Sequence, residues 1–354
     1  MSEDNDSAGS RDFPLDRPRK ATIQDVADLA GVSTGTVSNT INRPHVVRRA
    51  TREAVERAIR ELGFVPNQQA SVLAGAASHV IGLVVLDIAS PFYMQAARAV
   101  ERAANEAGHM VVLCNSENNP TREAELLRML NTHHVRGVIL APASEVNHLD
   151  PGWIASQESP IVFLDDENTT EDCSVCVDHV AGASLAARHL IATGRDRLAF
   201  VGDPDGPHQF AQRFQGVRNA LVEADLPSTS LRAVRVPGIG LQDGLLAADQ
   251  LLERELPSGI LCGNDMMAFG VYRGLTRAGV RIPDDAALIG YDDVDFAADW
   301  VVPLTSVRQP TYELGYQAAQ LLLRHSGGDP DHQHQQLVLQ PELIVRSSTD
   351  PGAR

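Results

Sequence analysis

The sequence predicts an α/β protein carrying a small all-α head, and three observations predict it. Between Thr22 and Leu62, apolar residues recur at helical spacing in three short bursts. From Val80 onward, apolar runs of strand length alternate with helical patterns, as in parallel sheets flanked by helices. The alternation comes in two successive sets, which predicts two similar doubly wound parallel-sheet subdomains with a cleft between them. A chain of 354 residues has room for these units, and its 43% hydrophobic content is that of an ordinary globular protein.

Residues 1–20 contain no apolar stretch and read as a disordered leader, not a secretory signal, which places the protein in the cytoplasm. The first helix carries Ile23, Val26, Ala27 and Ala30 on one face, starts at a capping-box pair of Thr22 and Asp25, and stops at Gly31. The second is capped by Ser33, has Val37 and Ile41 on its apolar side, and ends at Asn42-Arg43-Pro44. The third repeats the spacing with Val55, Ala58, Ile59 and Leu62 before Gly63. Two short helices joined by a glycine turn and braced by a third form a helix-turn-helix, here over residues 21–66. Its second helix turns Thr34, Gly35, Thr36, Ser38 and Asn39 outward. Small side chains let the backbone approach a duplex, and the Asn39 amide has the reach to read adenine. Pattern alone fits equally a packing module with a polar solvent face. Residues 67–77 hold one more short helical pattern, from Asn67 through Ala74. Its Ala70, Leu73 and Ala74 have no core of their own, so this helix needs a partner to form.

In the larger region, residues 78–354, strand runs are read at Val80–Leu86, Met110–Cys114, Val138–Leu140, Leu198–Val201, Ile260–Cys262 and Ala287–Gly290. Helices are read at Phe92–Ala107, Arg122–Leu130, Ala183–Ile191, Gln212–Val222 and Met266–Ala278.

Charge is divided unevenly. Residues 17–76 hold nine Arg or Lys against five Asp or Glu, while the remainder from Ala77 carries a net -16. A basic surplus confined to the head suits a nucleic-acid contact, and the acidic remainder keeps the rest of the chain off a duplex. Four cysteines are too few for a disulfide framework. Cys173 and Cys176 form a C-x-x-C with His179 nearby, but no second ligand pair stands at zinc-site spacing, so they read as buried or edge-strand thiols. The stretch from His325 to His334 reads as a surface loop. No metal and no cofactor are expected.

The run from Thr22 to Asn39, T-I-Q-D-V-A-D-L-A-G-V-S-T-G-T-V-S-N, closely resembles the signature of the LacI/GalR family of repressors. N-Q-Q-A-S-V-L-A-G, from Asn67 to Gly75, resembles that family's hinge helix at the family's usual separation. The resemblance implies a periplasmic-binding-protein-like effector domain, with the chain crossing several times between its subdomains. It also implies phosphate contacts at Thr22, Ser33, Thr36 and Asn42, base reading at Thr34, Gly35 and Asn39, and a leucine wedge in the minor groove at Leu73 of the hinge helix, which also contains Asn67 and Ala74. Two positions depart from the family. Asn39 stands where Arg is usual, which favours adenine over guanine. Arg48 replaces a serine that caps the third helix, and it meets phosphate as a cation instead.

Ligands of open parallel sheets bind beyond the carboxyl ends of the strands. The residues there are Asp87, Phe92, Tyr93, Asn115, Asp165, Asn264 and Asp292, a set of carboxylates, amides and rings suited to a sugar or nucleoside. Each is also an ordinary strand-end or turn residue. The resemblance adds Arg213 as the arginine that holds the effector, strengthens Asn264 and Asp292, and places Gln309 on a crossing segment near the pocket. The expected protein is therefore a homodimeric regulator that reads a pseudo-palindromic operator on double-stranded DNA under small-molecule control. Its C-terminus lacks the heptad of a tetramerising tail. A transport binding protein would carry an export signal and no head. An enzyme would need a motif such as G-x-S-x-G, a P-loop or a strand-borne G-x-G-x-x-G, and none stands in the sequence.

Overall fold

The first head helix, α1 (Ile23–Ala30), begins where the sequence places its cap. Thr22 Oγ1 accepts from the Asp25 amide at 3.3 Å and Asp25 Oδ2 accepts from the Thr22 amide at 2.7 Å. Gly31, at φ 67°, closes it in the left-handed region that glycine adopts at little cost. α2 (Thr34–Asn42) is capped by Ser33, and α3 (Arg49–Leu62) ends at a second left-handed glycine, Gly63. Val26, Ala27, Val37, Val55 and Ala58 from the three helices form one buried cluster. In the computed structural model, residues 19–65, 78–143, 159–166, 172–327 and 332–350 are described, and the chain divides into two compact units, 1–78 and 79–354. The leader and the hinge helix, with Asn67, Leu73 and Ala74, lie outside the described residues.

The second unit contains two six-stranded sheets. The first set of elements runs β1 (Val80–Val85), α4 (Pro91–Glu106), β2 (Met110–Asn115), α5 (Pro120–Thr132), β3 (Gly137–Leu140), β4 (Ile161–Leu164) and β5 (Cys173–Val177). The second runs α6 (His179–Ala192), β6 (Leu198–Val201), α7 (His208–Glu223), β7 (Leu231–Val234), α8 (Leu241–Leu252), β8 (Gly259–Cys262), α9 (Asp265–Arg277), β9 (Ala287–Asp292) and β10 (Thr305–Arg308). The chain then returns through α10 (Thr311–Ser326) and β11 (Gln336–Leu339) to the first sheet and ends with β12 (Glu342–Ile344) in the second. Among the described residues the strand orders are β11-β5-β4-β3-β1-β2 and β12-β10-β9-β8-β6-β7, with only the β10–β12 pairing antiparallel. The subdomains are thus joined by three crossings: between β5 and α6, between β10 and α10, and between β11 and β12.

Strand periodicity builds the core of the first subdomain. Ile81, Leu83 and Val85 face α4 and α10, while Val84 faces α5 with Leu127 and Leu130. The second subdomain has a single core in which α6 and α7 cover one face of the sheet and α8 and α9 the other. Glycines set the helix spacings. A Cβ on Gly270 of α9 would lie 2.8 Å from the Gly244 Cα of α8, and one on Gly315 of α10 would lie 3.0 Å from the Ala96 carbonyl carbon of α4.

One carboxyl in this core is held in an unusual state. Glu123, in the first turn of α5, is 1% exposed and accepts from the Ala143 amide at 2.7 Å. Burial, followed at a distance by the charge of Asp166, pushes its pKa from 4.5 to about 7. A carboxyl raised on folding supports the fold fully only below its unfolded pKa, and that support is lost as pH rises through about 7. Glu123→Gln, which keeps an oxygen for Ala143, is expected to stabilise the domain by about 1–3 kcal/mol above pH ~8 and by nothing below pH ~4. Urea melts at the two pH values check this; equal gains at both would refute it.

Candidate functional site

Of the five residues of α2 read as outward-facing, two are exposed. Gly35, Asn39 and Asn42 of α2 are exposed, as are Thr22, Ser33 and Arg48, while Thr34, Thr36 and Ser38 are half-buried. Several of these side chains are engaged locally: Ser33 Oγ lies 3.0 Å from Thr36 Oγ1, and Asn42 Nδ2 donates to Ser38 Oγ at 3.3 Å. The Asn39 amide makes no hydrogen bond among the described residues, so both its donor and its acceptor are available to a partner. Arg48 occupies the N-cap of α3 without a side-chain capping bond, which leaves its guanidinium pointing into solvent.

In the second unit, a narrow cavity lies between the two subdomains at the carboxyl ends of their strands. Phe92, Tyr93, Asp165, Arg213, Asn264 and Asp292 all line it. Asp165 follows β4 and Asp292 ends β9. Both hold left-handed backbone, at φ 58° and 106°, a conformation that aspartate tolerates better than most residues and that tends to persist at functional positions. Arg213 projects from α7 and is 4% exposed. Its guanidinium lies 3.8 Å from the centre of the Tyr291 ring, donates to the Gly263 carbonyl, and reaches His179 Nδ1 at 3.4 Å. No carboxylate among the described residues forms an ion pair with it, and its charge acts on Asp292 across the cavity.

His179 links that cation to an acid. Its Nε2 lies 2.9 Å from Asp165 Oδ1 and its Nδ1 faces Arg213, so the ring donates through Nε2 and accepts through Nδ1. Burial foremost, then the neighbouring Arg213 charge, outweighs Asp165 and holds the imidazole below its ordinary pKa, in the neutral form this arrangement requires. Asp292 accepts from Gln309 Nε2 at 2.6 Å. Burial pushes its carboxyl up to about 7, against the opposing pull of Arg213 and Gln309. Gln309 Oε1 is buried with no partner among the described residues, an open acceptor beside the acid. Asn264 caps α9 by accepting from the Met267 amide at 2.8 Å and donates to the Ile239 carbonyl at 2.9 Å. It shapes the wall with its hydrogen bonds already in use.

Of the sequence-derived set, Asp87, Asn115 and Gln309 stand apart from this lining, Gln309 meeting it only through its bond to Asp292. Asp87 Oδ1 accepts from the Ala89 amide and Asn115 Oδ1 from the Ile88 amide, which ties both to the turn after β1. The cavity adds Leu86, Ser90, Gln209, Phe210 and Ile239. Gln209 and Phe210 lie one helical turn before Arg213, so the spacing on α7 was their available signal. The histidine beside the C-x-x-C is drawn to the cleft instead of to the thiols. Cys173 and Cys176, three apart on β5, point to opposite faces of the sheet and cannot chelate together.

Residues 22–67 match the bacterial regulatory proteins of the lacI family, and residues 187–349 match the periplasmic binding protein-like domain. The chain is 36% identical over 337 residues to the ribose operon repressor of Escherichia coli K12, a match covering 93% of this chain and 99% of that protein. The chain belongs to the LacI family. This LacI-family protein is also 33% identical over 336 residues to the HTH-type transcriptional regulator DegA of Bacillus subtilis, over 94% of this chain and 99% of that one. Among solved structures it is similar to the lac repressor dimer bound to operator and the anti-inducer ONPF, with a TM-score of 0.81 at 28% identity over 94% and 99% of the two chains. It is similar too to a LacI-family regulator of Enterococcus faecium with bound ribose, with a TM-score of 0.69 at 29% identity over 77% and 99%. It is accordingly a DNA-binding transcriptional regulator with a helix-turn-helix head followed by a periplasmic-binding-protein-like domain.

Proposed function

We propose that this regulator acts as a repressor whose operator affinity is set by a sugar enclosed between the two subdomains. The cleft carries the reading. Arg213, Asp165 and Asp292 offer one strong donor and two acceptors to hydroxyls, with Phe92, Tyr93 and Phe210 supplying apolar faces. The cavity volume is about 30 Å³, against the ~300 Å³ or more of ordinary ligand pockets. A ligand therefore enters only when the subdomains part, which the three crossing segments permit as hinges. An effector that favours one separation over the other shifts the equilibrium by its differential affinity. The relatives point to the same chemistry, since one represses a ribose operon and one binds ribose.

The partner on the other side is double-stranded operator DNA, read by α2 of each subunit of a homodimer. The edge of the first sheet supports the dimer: Met110, Val112 and Leu113 of β2 and Met129 of α5 are exposed apolar residues, and an uncovered apolar edge strand favours association. A lac repressor dimer on operator is among the similar structures. The protein works by binding, not by catalysis, and in the cytoplasm, where its operator is. Among the described residues no helix is long and apolar enough to cross a membrane.

Selection of a pseudo-palindromic site from random DNA, followed by titration with ribose, hexoses and nucleosides, tests the whole reading. No selected site, or a site whose affinity no sugar alters, would overturn it. Gly35→Ala isolates the DNA face. A Cβ there would meet only Ser33 Oγ, at 3.8 Å, so nothing inside the protein requires glycine. Alanine is expected to stabilise α2 by up to about 1 kcal/mol and yet to weaken operator binding by about 10-fold or more, ~1.4 kcal/mol. Unchanged operator affinity in titrations would show that the Gly35 backbone does not approach DNA.

A further inference from the structure

The far end of the first sheet gathers four metal-ligating side chains that the sequence holds apart. β11 lies parallel to β5 with Gln336 opposite Ser174, so the residues entering β11 run beside Cys173, the first residue of β5. α10 ends at the same place, and His325 is in its last turn rather than in the surface loop that the sequence suggests. Cys173 Sγ is 3.4 Å from His332 Nε2 and 3.7 Å from His334 Nδ1. With His325, one ligand atom from each of the four lies within 4.8 Å of every other. Tetrahedral zinc with bonds of ~2.3 Å to sulfur and ~2.05 Å to nitrogen sets sulfur–nitrogen edges near 3.6 Å and nitrogen–nitrogen edges near 3.4 Å. The two sulfur–nitrogen distances fall on either side of the first of these.

We propose that Cys173, His325, His332 and His334 form a four-coordinate site for Zn²⁺ that fastens the end of α10 and the start of β11 to β5. Four protein ligands close the coordination sphere, which marks a structural site and not a catalytic one. A thiolate with three imidazoles selects borderline-soft ions of the zinc type over Mg²⁺ or Ca²⁺. His325 Nδ1 is buried with no hydrogen-bond partner among the described residues, an orphaned polar atom that a metal would satisfy. The His325 and His332 rings stack at 4.4 Å between centroids, a close approach that protonated imidazoles would resist. Metal ligation uses the neutral imidazole, whose ring-nitrogen lone pair binds the ion. Metal binding displaces the Cys173 thiol proton to solvent as the sulfur–metal bond forms. Because the strands are parallel, this site lies at the amino ends of β5 and β11, whereas the effector cleft is at the carboxyl ends of the strands.

The test uses the full-length reduced protein, stripped with a chelator and titrated with Co²⁺ as a spectroscopic stand-in for zinc. One equivalent is expected to produce both the thiolate-to-cobalt charge-transfer band and the strong visible bands of tetrahedral cobalt, and Zn²⁺ should displace them. Cys173→Ser should remove the charge-transfer band. Both Cys173→Ser and His332→Ala should weaken zinc binding by more than about 100-fold, beyond the loss of an outer hydrogen-bond partner. Zn²⁺ should raise the thermal midpoint of the wild type and not of Cys173→Ser, with specific operator binding serving as the check that each variant is folded. Weak octahedral bands alone, meaning histidines binding without the thiol, would overturn the proposal. So would a charge-transfer band that survives Cys173→Ser, or no binding at all.

Discussion

Arg213→Met is expected to leave operator binding in place and to weaken the response to the effector sharply. The guanidinium is buried, stacked on Tyr291 and free of any carboxylate partner among the described residues. Gly263 and His179 orient it, but no carboxylate neutralises it, so its charge is held ready for a ligand. Methionine keeps most of the stem and its packing while deleting every donor. Truncating one side of a desolvated charged contact costs ~2–5 kcal/mol, so the effector concentration needed for half-response should rise by about 30-fold or more. Isothermal titration of the effector beside operator titration separates the two functions. Lost operator affinity with an intact effector site would reverse the assignment.

The same substitution carries a pH signature. Asp292 titrates near 7 because burial opposes its charge while Arg213 and Gln309 favour it. A hydroxyl donating to Asp292 prefers the ionised, acceptor-only carboxylate. Effector affinity in the wild type should therefore rise as pH is taken up through about 7. Removing Arg213 takes away the cation that helps the carboxyl ionise, so the midpoint should move upward in Arg213→Met. A pH-independent affinity in both proteins would mean that Asp292 does not touch the ligand.

How much of this was legible in the sequence depended on which residues carried the signal. β1, β3, β6, β8 and β9 are buried on both faces and so read as unbroken apolar runs. β10 reads Thr-Ser-Val-Arg and β11 Gln-Leu-Val-Leu, and neither forms such a run. With β10 unreadable, the alternation stops after β9, and the return through α10 to the first sheet goes with it. In the cleft, Asp165 and Asp292 were legible because acids at strand ends have a place in every parallel sheet. His179 was not, because its partners Asp165, Tyr291 and Arg213 come from different elements that only the closed fold brings together. The Cys173 cluster is the extreme case: the cysteine and its histidines are about 150 residues apart or more, and only the β5–β11 pairing joins them.

Gly270→Ala is the substitution expected to damage the fold most. Glycine in a helix interior is about 1 kcal/mol worse than alanine, so at an open position the exchange would stabilise α9. Position 270 is not open. A Cβ there would stand 2.8 Å from the Gly244 Cα and the Leu245 amide nitrogen, and closer still to the Leu241 carbonyl oxygen, all of them backbone of α8. A flexible side chain could turn away, but backbone moves only if α8 moves, and α8 packs on the core through Ala247, Ala248 and Leu251. Overpacking typically costs ~1–3 kcal/mol, and with backbone on both sides of the contact the loss should reach the top of that range or pass it, about 3 kcal/mol or more. Gly274, one turn further along α9, faces the Ala248 side chain, so the glycines at 270 and 274 form a strip that fixes how near the two helices come. Denaturant melts of Gly270→Ala check the sign directly. A stabilised protein would mean that α8 yields freely and that the glycine strip does not set the spacing. Because Asn264 caps α9 and lines the cavity, any shift of this helix should also lower effector affinity, a second effect that a loss confined to the core would not produce.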